Sequence, residues 1–336
     1  MKVVVLAGGK SDERDVSMSS GSQVANALLS KGHQVLLVDL MEGLPESLDF
    51  EAAYERYQQE IYDYDISETP ATFDEGVPEI GSNILELCAS ADIAFLALHG
   101  GIGENGKLQA IFDCFNIKYT GSNYEGSLLA MNKLVFKELI RFNGINTADW
   151  SRVTCLEDTD EVKLPAVVKP IDNGSSIGIS IVEDKASLEA ACDEALRHSE
   201  RTYVLVEDKI EGREFSVGIL GEQVLPVIEL KPKAGFYDYQ NKYQKGRTEE
   251  LVPAPIEDSL RDKMQELALK VHQLLGMSVC SRTDFIVDED NQIYVIELNS
   301  LPGMTPISLL PQEAKAAGIG YEELCERIIE ESLKKY

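Results

Sequence analysis

Short apolar runs separated by polar stretches of helical period open the chain. Residues 3–6 read as a buried strand, Gly8-Gly9 as a tight loop, and Ser17 as the cap of a helix carrying Val24, Leu28 and Leu29 on one side until Gly32 ends it. Residues 34–40 form the next strand, and 93–98 supply another that runs into His99-Gly100-Gly101. Strand, helix, strand and strand predict an open parallel sheet with binding loops at its carboxyl ends. A helix over 135–142 follows, and Trp150 with Leu164-Pro165 marks the passage into a second unit. That unit holds a strand at 166–169, a glycine and serine loop, a helix over 187–198, and strands at 203–206 and 215–220. A third portion contains 236–245, a long helix over 259–275, a hairpin, and a final helix over 321–335. No internal repeat is visible.

The hairpin is the most informative of these elements. Strand side chains alternate between faces, so over 282–287 Arg282 and Asp284 share one face while Thr283, Phe285 and Val287 share the other. After a turn at 288–291, Glu297 and Asn299 point together, away from Tyr294, Ile296 and Leu298. A reversal at Asp290-Asn291 sets Asp284 opposite Glu297, so two carboxylates, an amide and a guanidinium converge on one patch. Bare carboxylates so placed repel each other. A hard divalent cation removes the repulsion, and Mg2+ uses one or two carboxylates plus substrate phosphates. The same pattern also describes a half-exposed hairpin with a solvated acidic face.

Size and charge narrow the choice. At 336 residues the chain is long enough for two or three units, because single cores stop growing at about 250 to 300 residues. No apolar run approaches the ~18 residues that span a bilayer. The amino terminus has too short an apolar run and too little positive charge for a secretory signal, so a cytoplasmic protein with no membrane partner is expected. Six scattered cysteines without a Cys-x-x-Cys pair predict buried free thiols. A net charge of -27 argues against nucleic acid as a partner, and an anionic ligand then needs its own basic cluster. Twelve Asp or Glu residues face a single Arg56 between residues 41 and 80, a segment that reads as a solvated, partly helical insertion.

Candidate cations are present. Lys169 stands at a strand end ahead of Asp172-Asn173-Gly174-Ser175-Ser176-Ile177-Gly178, and backbone N–H groups in such loops cradle phosphate while a lysine adds charge. Its spacing is not that of a Walker loop. With Lys133, Lys242 and Arg282 it makes the set of cations an acidic protein needs to hold a nucleoside triphosphate. Glu207 closes one strand and Glu214 follows beyond a turn; carboxylates so placed accept hydrogen bonds from a nucleoside.

Seven ordered motifs carry a resemblance. They are Gly8 to Ser17, His99-Gly100 with Gly103-Glu104-Asn105-Gly106, Tyr119-Thr120-Gly121-Ser122, Met131-Asn132-Lys133, the loop after Lys169, Phe236-Tyr237-Asp238-Tyr239 with Lys242-Tyr243, and the segment 297–308. Together they closely resemble D-alanine–D-alanine ligases of the ATP-grasp superfamily, and the match runs through nearly the whole chain outside the acidic insertion. The resemblance implies an α/β, three-domain ATP-grasp fold with an amino-terminal open parallel α/β domain. Its expected limits are 1–122, a central ATP-grasp subdomain at 123–208, and a carboxyl-terminal catalytic domain at 209–336.

By the same resemblance, Lys133 and Lys169 would contact ATP phosphates, Glu207 and Glu214 would bind adenine and ribose, and Phe236 would pack near the adenine. Lys242 would reach the transferring phosphoryl group. Asp284, Glu297 and Asn299 would hold two Mg2+ ions, with Mn2+ able to substitute. Glu13 would face the amino group of the first of two D-alanine molecules, with His99 close by. Ser175 and Tyr243 would join Glu13 in a hydrogen-bonded set that closes a loop over the site. Arg282 and the N–H of Gly303 would stabilise the oxyanion, and Ser308, beside Leu309, would contact the second carboxylate. The implied activity is ATP-dependent ligation of two D-alanines through an acyl phosphate, for peptidoglycan precursor synthesis, by a homodimer.

One departure stands out. The family commonly has Met-Asp-Lys where this chain has Met131-Asn132-Lys133, which removes a charge beside the phosphate lysine. Tyr243 speaks against a D-lactate-using form, whose members lack this tyrosine. Leu309 leans towards D-alanine, while a D-alanine–D-serine ligase stays open because a pocket rejects an added hydroxyl only weakly. A catalytically silent nucleotide-binding protein is the rival of another class. The polar segment 235–247, rich in tyrosine, is the expected lid that keeps water from the acyl phosphate.

Overall fold

The structure is a computed structural model, and it describes residues 1–64, 73, 76–154, 162–174, 176–233 and 247–336. Its amino-terminal sheet is built from β1 (Lys2–Ala7), β2 (Gln34–Asp39) and β3 (Ile93–Leu96), all parallel, in the order β2-β1-β3. Strand β1 is apolar from Val3 to Ala7 because both of its faces are covered. One face packs on α1 (Arg14–Ser30) through Val24 and Leu28. The other packs on α2 (Phe50–Tyr57), α3 (Ile84–Ser90) and α5 (Lys107–Cys114), the last preceded by the single turn α4 (Gly101–Glu104).

Two expectations change here. Helix α1 begins three residues before Ser17, which is not its cap: the Ser17 hydroxyl accepts from the Gly8 N–H at 2.8 Å and donates to the Ala97 carbonyl at 2.8 Å. Ser17 thus ties the glycine loop to the chain just beyond β3, and the helix takes the extra turn. The acidic insertion is only partly solvated. Phe50, Ala53 and Tyr62 are buried, and the Tyr62 hydroxyl donates to the Val35 carbonyl, so apolar spacing within the acidic run anchors it to the sheet.

Helices α6 (Tyr124–Met131) and α7 (Lys133–Phe142) lead into the second sheet. Asn132 caps α7, its side chain accepting from the Val135 N–H at 3.1 Å. Strands β4 (Trp150–Val153), β5 (Ala166–Lys169), β6 (Ser180–Val182) and β7 (Val204–Asp208) form an antiparallel sheet in the order β4-β7-β5-β6. Helix α8 (Lys185–Arg197) covers one side with Leu188, Ala191, Cys192 and Ala195. The other side is left to face the third sheet.

That sheet contains β8 (Arg213–Leu220), β9 (Gln223–Val224), β10 (Ile228–Pro232), β11 (Thr248–Leu251), β12 (Cys280–Val287) and β13 (Ile293–Asn299). Its order is β11-β10-β8-β12-β13, with β9 beside β8. Helix α9 (Asp258–Leu274) seats Met264, Ala268 and Val271 against Phe215 and Phe285. Helices α10 (Leu309–Ala316) and α11 (Tyr321–Leu333) return to the amino-terminal sheet, placing Leu310, Leu324 and Ile328 in one core with Val3, Val5 and Leu28. Among the described residues Cys88, Cys192, Cys280 and Cys325 are buried free thiols, and Cys114 is an exposed one.

The β12–β13 hairpin pairs Asp284 with Glu297 and Arg282 with Asn299, as strand alternation requires. Between Asp284 and Phe285 the register slips, and Phe285 pairs with Val295. This bulge corrects the expected grouping of Tyr294, Ile296 and Leu298. Val295 and Leu298 enter the core, while Ile296 joins Glu297 on the cleft wall.

Candidate active site

Two adjoining chambers meet at the hairpin. The larger, about 810 Å³, lies between the second and third sheets and is lined by Lys169, Glu207, Glu214, Asp284, Ile296 and Glu297. The smaller, about 360 Å³, gathers Glu13, His99, Arg282, Gly303, Ser308 and Leu309 from four separate stretches of sequence. Ser175, Phe236, Lys242 and Tyr243 lie outside the described residues.

Asp284 is the best-tethered group between the chambers. Arg282 donates to it from Nε and from Nη2, each at 2.9 Å, Ser216 Oγ donates at 2.6 Å, and Asn299 Nδ2 donates at 3.0 Å. Bidentate charge-assisted bonds of this kind fix orientation as well as energy. Glu297 lies across the hairpin with Oε2 3.6 Å from Lys133 Nζ, and that lysine also donates to the Asn173 carbonyl at 2.7 Å. The fit of this patch to Mg2+ rests on its donors: two carboxylates and one amide oxygen, all hard. Among the described residues no group of three or more His, Cys, Asp or Glu forms a closed cation site, so any ion here needs oxygens from elsewhere, as Mg2+ takes from phosphates.

Deeper in the larger chamber, Glu207 bridges two lysines, Lys169 at 2.7 Å and Lys137 at 3.0 Å. Burial pushes the Glu207 carboxyl up, but the two ammonium groups outweigh it and hold the carboxyl below its usual range. Lys137 is itself buried, donates to Thr147 Oγ1 at 2.7 Å, and is pushed down to about 8 by desolvation against the pull of Glu207. Sequence reasoning missed Lys137. It stands four residues after Lys133 on an amphipathic helix and shares the buried face with Lys133, Phe136 and Ile140, and that spacing was the available signal.

At the smaller chamber Glu13 is buried, and a Cβ on Gly174 would come within 3.2 Å of its Oε2. His99 shares a 3.0 Å hydrogen bond between Nε2 and Ser20 Oγ, and burial lowers its pKa, so the ring is neutral. Glu104, also missed, sits 4.0 Å from His99 Nδ1. Its carboxyl is pushed up to about 8 by burial first and then by Glu13 and Glu297. Its place one turn beyond His99-Gly100 was visible in the sequence, but the charge crowding that sets its protonation was not. A Cβ on Gly303 would stand 2.8 Å from Ser308 Oγ and displace that hydroxyl. Ser308 precedes α10, whose first-turn N–H groups favour a negative ligand group.

The site is thus a cleft between two sheets that carries lysines and carboxylates and opens onto a smaller chamber lined by acids and hydroxyls, in an α/β protein. Residues 2–122 match the family described as "D-ala D-ala ligase N-terminus" and residues 137–330 the one described as "D-ala D-ala ligase C-terminus". A D-alanine–D-alanine ligase from Pediococcus pentosaceus is 45% identical, with 100% of this chain and 99% of that protein covered. One from Lacticaseibacillus casei is 39% identical, covering 100% and 97%. The crystal structure of the Bacillus anthracis ligase complexed with ATP superposes with a TM-score of 0.76 at 29% identity, covering 100% of this chain and 98% of that one. The chain belongs to the D-alanine–D-alanine ligase family, and its fold is the α/β ATP-grasp fold.

Proposed function

We propose that this chain is an ATP-dependent ligase that joins two molecules of D-alanine into D-alanyl-D-alanine for peptidoglycan precursor synthesis. The observation that carries the reading is the Asp284–Glu297 pair with Arg282, set where the nucleotide-sized chamber meets the amino-acid-sized one.

A carboxylate is a poor electrophile, so the first D-alanine needs activation. Its carboxylate oxygen attacks the γ-phosphorus of ATP, ADP leaves, and an acyl phosphate forms. Lys133 and Lys169 neutralise the phosphates in this reading, Glu207 and Glu214 take the adenine and ribose, and Glu13 meets the ammonium of the first D-alanine. Phe236 and Lys242 complete the nucleotide side. Asp284, Glu297 and Asn299 would hold Mg2+, two ions by family resemblance with Mn2+ as a substitute, and the metal supplies charge neutralisation on the transferring group.

The neutral amine of the second D-alanine then attacks the acyl carbonyl. Arg282 and the Gly303 N–H stabilise the oxyanion, the C–O bond to phosphate breaks, and the amine's proton leaves as the amide forms. Ser308 receives the second carboxylate, with Leu309 beside it. Glu13, Ser175 and Tyr243 close the site. The division at 1–122, 123–208 and 209–336, a homodimer and a cytoplasmic location complete the proposal; no described helix is long and apolar enough to cross a membrane.

The test follows one oxygen atom. D-alanine labelled with 18O in its carboxylate, incubated with ATP and Mg2+, should pass one label into inorganic phosphate for each dipeptide made. Dipeptide formation with unlabelled phosphate would reject the acyl phosphate.

A further inference from the structure

We propose that Ser20 is a positioning residue: by donating to Nε2 it holds the His99 imidazole with its proton on Nδ1, so that the ring offers the smaller chamber a hydrogen-bond donor and not a base. The place of the proton stands on these side chains alone, while the substrate group it meets rests on the ligase reading above.

Helix α1 turns Ser17 and Ser20, one turn apart, towards the chain beyond β3. Ser17 donates to the Ala97 carbonyl, and Ser20 meets the ring of His99, with 3.0 Å between Oγ and Nε2. Ser20 is fully buried and does not line the chamber, so it reaches the chemistry only through His99. Its hydroxyl has no other hydrogen-bond partner among the described residues.

That isolation sets the direction of the bond. Burial keeps the imidazole neutral, and a neutral ring carries a single N–H. With the proton on Nε2, Ser20 would have to accept, and its own O–H would be buried with nothing to donate to. An unmade buried donor disfavours that tautomer by about tenfold or more. Ser20 therefore donates, Nε2 accepts, and the proton sits on Nδ1.

Nδ1 is on the chamber side of the ring. Glu104 Oε1 stands 4.0 Å from it, beyond hydrogen-bonding reach, and the adjoining Cε1 lies 3.6 Å from where a Cβ on Gly303 would be. Nδ1–H has no hydrogen-bond acceptor among the described residues, although the ring is buried. A ring in this form can neither bind an ammonium group through Nδ1 nor take a proton there from the attacking amine. In a chamber for D-alanine it binds a carboxylate or carbonyl oxygen of the amino acid.

Imidazole 15N NMR of the full chain, with His99 assigned by the signals missing from His99→Gln, reads the tautomer without turnover. The wild type should show the proton on Nδ1, Ser20→Ala should show a mixture of the two tautomers, and Ser20→Thr, which restores a hydroxyl, should return the wild-type pattern. Ser20→Ala should also raise the Michaelis constant for D-alanine by about threefold to tenfold and leave that for ATP within about twofold, with recovery in Ser20→Thr. A wild-type ring protonated on Nε2 overturns the proposal, as does an unchanged tautomer or an unchanged Michaelis constant for D-alanine in Ser20→Ala. Absence of dipeptide from the wild type would instead reject the ligase reading and leave the tautomer measurement standing, so the two failures are distinct.

Discussion

Arg282 grips both carboxylate oxygens of Asp284, at 2.9 Å each, so the side chain assigned to the oxyanion is oriented by the one assigned to the metal. The two lie two residues apart on one face of β12, which makes this mutual alignment a direct consequence of strand geometry.

Arg282→Met keeps the length of the side chain and removes its donors. The turnover number should fall by about 100- to 1,000-fold, the usual cost of losing an oxyanion donor, with a much smaller change in the Michaelis constant for ATP. Steady-state kinetics at saturating D-alanine provides the check, and near-wild-type turnover would remove Arg282 from that role.

Lys137→Met breaks a buried ion pair and leaves Glu207 to Lys169 alone. The cost should be about 1 to 3 kcal/mol of stability, since Glu207 loses one of two charged hydrogen-bond partners and keeps the other. Lys169 would then be drawn more fully to Glu207 and away from phosphate, raising the Michaelis constant for ATP by about tenfold. Chemical denaturation and ATP titration read the two effects separately.

Glu104 holds its proton up to about 8 in the folded protein, against 4.5 for the free side chain, because it is buried beside Glu13. Between those values the folded state binds a proton that the unfolded state has lost, so this contribution to stability is complete below the lower value and disappears as pH rises through the upper one. Glu104→Gln, which cannot ionise, should lose less melting temperature than the wild type between about pH 5 and about pH 9. Parallel melting curves for the two proteins would contradict this.

Gly218→Ala places a Cβ 2.4 Å from Glu313 Oε2 and 2.5 Å from Leu310 Cδ1. Both neighbours are buried, so the strain should cost about 1 to 3 kcal/mol. Adding Glu313→Ala should return part of that loss, measured by denaturant midpoints in the single and double variants.

The sequence made some of this legible and hid the rest for identifiable reasons. Period-two alternation sufficed to set Asp284 opposite Glu297, because a face-to-face pairing depends only on register. It failed at Ile296, where a bulge adds one residue that no alternation rule anticipates. Ser17 looked like a cap because its chemistry suits one, yet its hydroxyl is spent on Gly8 and Ala97, partners distant in the chain. Asn132 looked like a lost charge and is a helix cap. Lys137 and Glu104 escape a reading of the sequence because a lone charged residue reads as solvated until packing places an opposite or a like charge beside it.

The central claim is tested most directly by incubating the purified chain with ATP, Mg2+ and either D-alanine or L-alanine, and measuring phosphate and dipeptide together. One phosphate released for each D-alanyl-D-alanine formed, with neither product from L-alanine, is the predicted result. Phosphate release without dipeptide, or equal turnover of the L-enantiomer, would contradict it.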